Sequence, residues 1–381
     1  MRNAIYWILI IGIVFSCGKK NANINLHTIK IDSTQQYSEN DFVEKTQIIP
    51  LKTNKNYLIG NIDKMCILLD KIWILDKNVT KKIFVFNLNG EFITTIGKIG
   101  KGPGEYTEGL VNFYVDSARK EVGLVVKTGI LMKYDLAGNY KESHRFKKYY
   151  PTSIIPVSEK YILGVNISCN SLKYKNNSYK LCVTDRNFEN EEYFFKQDVF
   201  KETLPFDFGE NLYTNNSEVY FRKNCSDTVY KYEKGVFIPF TYCSLNNPLP
   251  YLPIIDKAAI EKRKETGINE IKFINKDLLI STFNKKFDII GILHSYKTGR
   301  SIIGECKIPL LPYPFNPSCL YKGYLYGYSN MLEIKQYMEE IVKYASGYNI
   351  KLNMIDSCKN INNKINLEDN PYIIKYKLRN F

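Results

Sequence analysis

Residues 96–106 read Ile-Gly-Lys-Ile-Gly-Lys-Gly-Pro-Gly-Glu-Tyr, and this stretch decides how the rest of the chain is interpreted. Four glycines and one proline lie within residues 97–104, a density that the interior of a strand or a helix does not tolerate. No Gly-Lys-Ser/Thr follows, so the stretch does not match a phosphate-binding loop. It stands between two sets of strand-like segments, and we interpret it as a linker between repeated β-units.

The residues before this linker show what is repeated. Strand-like segments lie at 62–68, 72–76, 83–86 and 91–96, and Asn89-Gly90 predicts a tight hairpin turn between the last two. Similar units follow at 110–146, 153–195, 211–242 and 268–306, and a sixth begins near residue 318. Four antiparallel strands in a unit of this length are typical of propeller blades. The sequence therefore predicts an all-β fold, a six-bladed β-propeller with four-stranded antiparallel blades.

The sixth unit is incomplete in sequence order. After two strand-like segments, residues 330–346 have a helical pattern that begins with a capping box of Asn330 and Glu333, and strand character returns only at 372–378. The segment around 48–51 is expected to supply the missing strand. The N- and C-terminal strands would then close the ring and leave no exposed sheet edge. A second helical insertion is predicted at about 254–266.

The first 17 residues indicate the compartment. Arg2 is followed by an apolar segment at 5–15 that is too short to span a membrane, and Val14-Phe15-Ser16-Cys17 matches a bacterial lipobox. We predict a lipoprotein signal peptide at 1–17 with lipidated Cys17, a tether and N-terminal segment at 18–41, and the propeller at 42–381. The alternative is a plain N-terminal membrane anchor.

The residues after Cys17 and the overall charge bear on location and partners. Gly18 stands where an aspartate would resemble an inner-membrane retention signal, so we expect an outer-membrane lipoprotein that faces the periplasm or the cell surface. The formal net charge is +14, but the lysines are scattered as short pairs and no nucleic-acid-binding motif is present. We expect membrane contact through the lipid anchor, no nucleic-acid partner, and a monomeric propeller.

Three motifs connect the chain to a known group of proteins. They are the linker at 97–106, Ser226-Asp227-Thr228-Val229-Tyr230 in the fourth unit, and Asp369-Asn370-Pro371-Tyr372 with Tyr376-Lys377-Leu378 near the C-terminus. In these motifs the chain resembles the six-bladed β-propeller lipoproteins of Bacteroidetes, relatives of NHL-type propellers. The resemblance covers about residues 25–381. It implies the fold and leaves the molecular function open.

Candidate binding residues follow from the geometry of a propeller, in which the linkers between blades and the loops between second and third strands share one face around the central channel. They are Lys101, Glu105 and Tyr106 from the linker, Asp76 and Lys82 from the first unit, and Arg222 and Asp227 from the fourth. Groups of this kind suit an anionic or polyhydroxylated ligand. The structural alternative is that Glu105 caps backbone amides, Tyr106 packs between blades and Asp227 caps its own turn.

The function predicted from these residues is that of a non-enzymatic envelope lipoprotein that binds a small molecule, glycan, peptide or envelope protein. Two alternatives stay open: a metal-dependent propeller lyase or lactonase-like hydrolase, and a structural scaffold in an outer-membrane complex. The three histidines, His27, His144 and His294, lack the spacing of a metal site, and no Gly-x-Ser-x-Gly elbow is present. No cofactor is predicted, although carboxylates and amides leave calcium open.

Overall fold

The structure is a computed structural model. It describes residues 26–31, 35–37, 42–165, 179–196, 211–215, 218–223, 226–245, 266–285, 288–306, 317–330, 332–336, 339, 366 and 368–379. Three N-terminal strands come first in the chain: β1 (His27–Ile31), β2 (Gln35–Tyr37) and β3 (Val43–Pro50). None of the three belongs to the first blade.

Antiparallel four-stranded sheets form the first three blades, and in each sheet the strands pair in chain order. Blade 1 contains β4 (Lys64–Leu68), β5 (Lys71–Asp76), β6 (Lys82–Asn87) and β7 (Phe92–Ile96); blade 2 contains β8 (Leu110–Asp116), β9 (Glu121–Val126), β10 (Ile130–Asp135) and β11 (Tyr140–Arg145); blade 3 contains β12 (Pro151–Val157), β13 (Lys160–Val165), β14 (Tyr179–Asp185) and β15 (Glu191–Lys196). The strand positions predicted on both sides of the linker are confirmed.

The remaining blades complete the ring. Blade 4 contains β16 (Leu212–Asn215), β17 (Glu218–Arg222), β18 (Thr228–Glu233) and β19 (Val236–Leu245); blade 5 contains β20 (Thr266–Ile274), β21 (Leu278–Lys285), β22 (Asp288–Ser295) and β23 (Ser301–Cys306); blade 6 contains β24 (Cys319–Tyr321), β25 (Tyr324–Ser329), β26 (Tyr372–Leu378) and then β3. The N-terminal β3 pairs antiparallel with the C-terminal β26. The six-bladed all-β propeller and its closure by both ends of the chain are therefore confirmed.

The middle strands are buried on both sides because each blade packs between two neighbours. In β5 the side chains from Ile72 to Leu75 are all fully buried. Ile72 and Ile74 pack into a core shared with blade 6, whereas Trp73 and Leu75 pack into a core shared with blade 2. Burial on both faces explains why such strands are continuous apolar runs, since a strand with one solvated face would alternate. The outermost β11 is polar and exposed.

Two of the N-terminal strands lie where the sequence did not predict strands. Within the segment predicted to be a tether, β1 and β2 add a fifth strand to blades 4 and 5, each parallel to the outermost strand of its blade. Ile29 and Ile31 of β1 are buried in the core between these two blades. Both added strands cover edges that would otherwise be open to pairing with another chain.

The helical insertion predicted at 330–346 lies partly within the described residues. Residues 332–336 are helical, and the predicted capping box is formed, because Glu333 N donates to Asn330 Oδ1 at 2.8 Å and Asn330 N donates to Glu333 Oε2 at 3.3 Å. Ile334 is buried between blades 5 and 6. The insertion at 254–266 lies outside the described residues except for Thr266, which belongs to β20. In the part of the chain that the structure describes, no helix is long and apolar enough to cross a membrane.

Candidate functional site

The channel face is the face of the ring that carries the linkers between blades and the loops between second and third strands. The four antiparallel strands of each blade alternate in direction, so this four-strand unit begins and ends on the same face. The first strands of neighbouring blades contact each other, as β24 contacts β4 and β8 contacts β12, so they surround the central channel. All the predicted binding residues lie on this face, whereas Cys17 lies outside the described residues.

The linker folds around the carboxylate of Glu105. Its Oε2 accepts a hydrogen bond from Gly102 N at 2.9 Å, and its Oε1 lies 2.6 Å from Lys98 Nζ. A Cβ added at Gly100 would overlap this carboxylate, which explains why glycine stands there. The hydrogen bonds from Lys98 and Gly102 lower the pKa of Glu105. The carboxylate therefore organises its own loop and is only one-fifth exposed.

Tyr106 fastens the linker to the blades. It is buried in the core between blades 1 and 2, and its hydroxyl donates to the main-chain oxygen of Lys81 at 2.5 Å. Burial raises the pKa of Tyr106. Gly97 has φ +90, and a Cβ at this position would collide with the Tyr106 hydroxyl. In contrast, Lys101 is an exposed residue of the same linker.

Asp76 organises the neighbouring connections of blade 1. It is fully buried, and Oδ2 accepts hydrogen bonds from the main chain of Gly60, Asn61 and Thr80 at 2.9, 3.2 and 3.2 Å. The Thr80 hydroxyl also donates to Oδ2 at 2.9 Å, and Val79 N donates to Oδ1 at 3.0 Å. Half-buried Lys82 lies opposite Asp76 in the pairing of β5 with β6.

Arg222 and Asp227 lie on blade 4, on the opposite side of the ring from blade 1. Arg222 is buried at the end of β17, and its N–H donates to the main-chain oxygen of Asn211 at 2.9 Å. The main-chain oxygen of Asp227 accepts from Cys243 N at 2.9 Å. Burial raises the pKa of the Cys243 thiol to about 12, with Asp227 raising and Arg222 lowering it, so both charges lie near this thiol. The structure thus divides the predicted residues into two groups across the channel.

Sequence reasoning missed a polar connection across the inner strands. Lys64 Nζ in β4 donates to Asn112 Oδ1 in β8 at 2.7 Å, and Asn112 Nδ2 donates to the main-chain oxygen of Thr152 in β12 at 3.2 Å. Asn112 is fully buried. The available signal was a lysine and an asparagine in first strands that are mainly apolar. These hydrogen bonds place an ammonium and an amide across blades 1, 2 and 3.

All three histidines lie in aromatic clusters. His144 stacks on Phe188 with ring centroids 4.3 Å apart. His27 and His294, distant in sequence, both pack against Tyr296, at 4.9 Å each. Within the described residues, no three side chains of histidine, cysteine, aspartate or glutamate are arranged to hold a metal ion.

Comparison with one solved structure agrees with the fold, and a family model matches most of the chain. No protein with a curated description matches the chain. A solved structure from Bacteroides fragilis is 17% identical to this chain, with a TM-score of 0.72. The match covers 92% of this chain and 99% of that one, and the B. fragilis protein is named provisionally as an exported protein. BamB from Moraxella catarrhalis is 9% identical with a TM-score of 0.41, covering 74% of this chain and 73% of that one. The model of a family described as a domain of unknown function, DUF4934, matches residues 22–377, and the chain belongs to this family.

Proposed function

We propose that the chain is an exported, non-enzymatic binding protein, held in the outer membrane by a lipid on Cys17, whose propeller takes up its ligand at the channel face. The lipobox at Val14-Phe15-Ser16-Cys17 supports export and lipidation. The similar B. fragilis protein is named as an exported protein, which supports a location outside the cytoplasm for this chain. A lipidated cysteine brings enough acyl chain for stable anchoring.

The observation that carries the binding role is the hydrogen-bonded series from Lys64 through Asn112 to Thr152. It places an ammonium and an amide on the inner strands of three adjacent blades. The Lys64 ammonium is the group of this series that can recognise carboxylates, phosphates and sugar hydroxyls through charge-assisted hydrogen bonds, and the buried Asn112 amide holds it in place. An acidic glycan, which combines carboxylates with hydroxyls, is the ligand class that this chemistry suits best.

The loops around this series support the same role. Asp76, Glu105 and Tyr106 direct their polar atoms into the connections of the channel face and link them by hydrogen bonds. A face that is ordered before binding loses less conformational entropy when the ligand arrives. We assign a supporting role to these three side chains and direct ligand contact to exposed Lys101 and to Lys64, with Lys82, Arg222 and Asp227 as further candidates.

Calorimetric titration with oligogalacturonate as the anionic probe tests the proposal, with maltohexaose as the neutral comparison. Lys64→Gln is expected to weaken oligogalacturonate binding by about tenfold or more, because a charged hydrogen-bond donor is lost. Lys160→Gln is the matched control, since Lys160 is exposed at the start of β13 on the opposite face. The proposal would be contradicted if the wild-type chain failed to bind oligogalacturonate. It would also be contradicted if Lys64→Gln bound oligogalacturonate as tightly as the wild type.

A further inference from the structure

Four large aliphatic side chains are exposed on separate connections of the channel face at blades 6 and 1. The exposed fractions are 43% for Leu58, 64% for Val79, 47% for Ile99 and 53% for Leu332. Together they are called the aliphatic rim. Leu58 lies in the linker from blade 6, Val79 between β5 and β6, Ile99 in the linker to blade 2, and Leu332 after β25.

The connections that carry the aliphatic rim are fastened to one another. Val79 lies directly over Gly60, because a Cβ added at Gly60 would overlap its side chain. The Tyr106 hydroxyl binds the main chain of Lys81, which ties the loop of Val79 to the linker of Ile99. The Tyr328 hydroxyl donates to the main-chain oxygen of Ile62 at 3.0 Å, which ties the connection of Leu332 to the segment of Leu58. The four tips therefore share one side of the ring.

Lysines accompany the tips in sequence. Lys77 and Lys81 flank Val79, Lys98 and Lys101 flank Ile99, and Lys55 precedes Leu58. Lys55 and Lys101 are exposed, whereas Lys98, whose side chain is 77% exposed, is paired with Glu105. Aliphatic tips on this side of the face are thus set among ammonium groups.

Several carboxylates on the same connections accept hydrogen bonds from groups within the protein. Asp76 is buried and accepts hydrogen bonds from its own loops. Glu105 binds Gly102 N and Lys98, and Glu333 caps its own helix. Asp63 accepts from Lys77 N at 2.6 Å. Glu108 at the end of the linker is exposed. The outward chemistry of the rim is therefore mainly aliphatic and cationic.

We propose that the aliphatic rim docks on an anionic lipid surface, with its tips at the boundary of headgroups and acyl chains and its lysines at the phosphates. Apolar side chains combined with exposed lysines are the chemistry by which peripheral proteins bind anionic membranes. A bilayer accepts single tips on separate connections, whereas a peptide is bound in a groove or along a sheet edge. The rim lies across the ring from Arg222 and Asp227, and the inference does not rest on ligand binding in the channel.

Flotation with phospholipid vesicles tests this inference. The chain from residue 18 onward contains every described strand and lacks the lipid on Cys17, so its binding reports on the protein surface alone. Vesicles of equal parts phosphatidylglycerol and phosphatidylcholine are compared with vesicles of phosphatidylcholine. We expect binding to the anionic vesicles at low salt, much weaker binding to the neutral ones, and release by high salt.

Variants test whether the aliphatic rim is responsible for binding to the anionic vesicles. The double variant Val79→Ser, Ile99→Ser is expected to bind anionic vesicles at least tenfold more weakly, because each tip contributes buried apolar area. Val236→Ser is the matched control: Val236 is 50% exposed and follows Lys234-Gly235 in the turn before β19, on the opposite face. Circular dichroism verifies that each variant is folded.

Two results would overturn the inference. The first is a wild-type chain that fails to bind anionic vesicles at low salt, which would direct attention to an acidic protein as the occupant of the rim. The second is a folded double variant that binds these vesicles as tightly as the wild type. Either result leaves the oligogalacturonate experiment unaffected, so the two proposals fail independently.

Discussion

The side chain of Asn370 accepts a hydrogen bond from the main-chain N–H of Ile59 at 2.8 Å, across 311 residues of sequence. Its Nδ2 donates to the main-chain oxygens of Lys52 and Tyr57 at 2.9 and 3.2 Å. Asn370 is buried two residues before the start of β26, and the residues it binds follow β3. One amide therefore joins the two ends of the chain where the ring closes.

Removing this amide is expected to weaken the closure. Asn370→Ala leaves one main-chain donor and two main-chain acceptors without their partner, and we expect a loss of about 2–4 kcal/mol in the free energy of unfolding. Asn366→Ala is the control, because Asn366 is exposed and its side chain accepts a local hydrogen bond from Glu368 N. Urea unfolding measures both variants. Equal stability of the two would show that the closure does not depend on Asn370.

Because Asp76 accepts five hydrogen bonds, we expect even the nearly isosteric substitution Asp76→Asn to lower the stability of the protein. In Asp76→Asn the amide NH₂ faces an N–H donor in either orientation, so we expect a loss of about 2–4 kcal/mol. Asp135→Asn serves as the control, because Asp135 makes similar hydrogen bonds in an exposed turn. Thermal unfolding compares the variants. An unchanged stability of Asp76→Asn would show that these hydrogen bonds do not stabilise the fold.

A buried ion pair joins blades 2 and 3. Arg186 Nη2 lies 2.9 Å from Asp116 Oδ2, both side chains are buried, and the guanidinium lies 4.2 Å from the ring centroid of Tyr161. We expect Arg186→Ala to cost about 3–5 kcal/mol, because it leaves a buried carboxylate unpaired.

A neighbouring ion pair provides the comparison. Arg119 binds Glu159 at the surface at 2.5 Å, and its removal is expected to cost less than about 1 kcal/mol. Arg186→Lys should not restore stability, because lysine lacks the planar group that stacks on Tyr161. Denaturant unfolding of all three variants measures these differences. Equal losses for Arg186→Ala and Arg119→Ala would contradict the assignment.

His294 predicts a pH dependence of stability. Burial lowers the pKa of His294 to about 4, with nearby His27 acting in the same direction. In the unfolded chain a histidine has a pKa near 6.5. Between about pH 6.5 and 4 the unfolded chain therefore binds more protons than the folded protein, and the free energy of unfolding falls as the pH is lowered. We expect this to cost on the order of 2 kcal/mol at pH 4 and to be reduced in His294→Gln. Parallel pH profiles of the two proteins would exclude His294 as the cause.

The lipobox predicts lipidation at one residue, Cys17. Cells fed an alkyne analogue of palmitate should label the wild-type protein, and Cys17→Ala should lose the label, because no other residue serves as the lipid acceptor. Fluorescence in a gel after click conjugation measures the label. Labelling of the Cys17→Ala protein would contradict the lipoprotein assignment.

Local patterns were sufficient to predict much of this fold. The turn at Asn89-Gly90, the glycine-rich linker and the apolar runs such as β5 are determined by neighbouring residues, and they placed the strands of blades 1 and 2 almost residue by residue. The capping box of Asn330 and Glu333 is local for the same reason. Even the pairing of β3 with β26 could be anticipated, because the sixth unit lacks a fourth strand and the N-terminal segment can supply it.

Other features depend on residues that are distant in sequence, and only the tertiary structure decided them. β1 and β2 are too short to show a period of their own, and they become strands because the edges of blades 4 and 5 offer partners. Sequence alone left open whether Glu105 points outwards, and the close approach of Gly100 and Gly102 turns it into its own loop. The polar series at Lys64 and the four tips of the aliphatic rim arise from separate blades, since the closed ring brings together connections that share no local sequence signal.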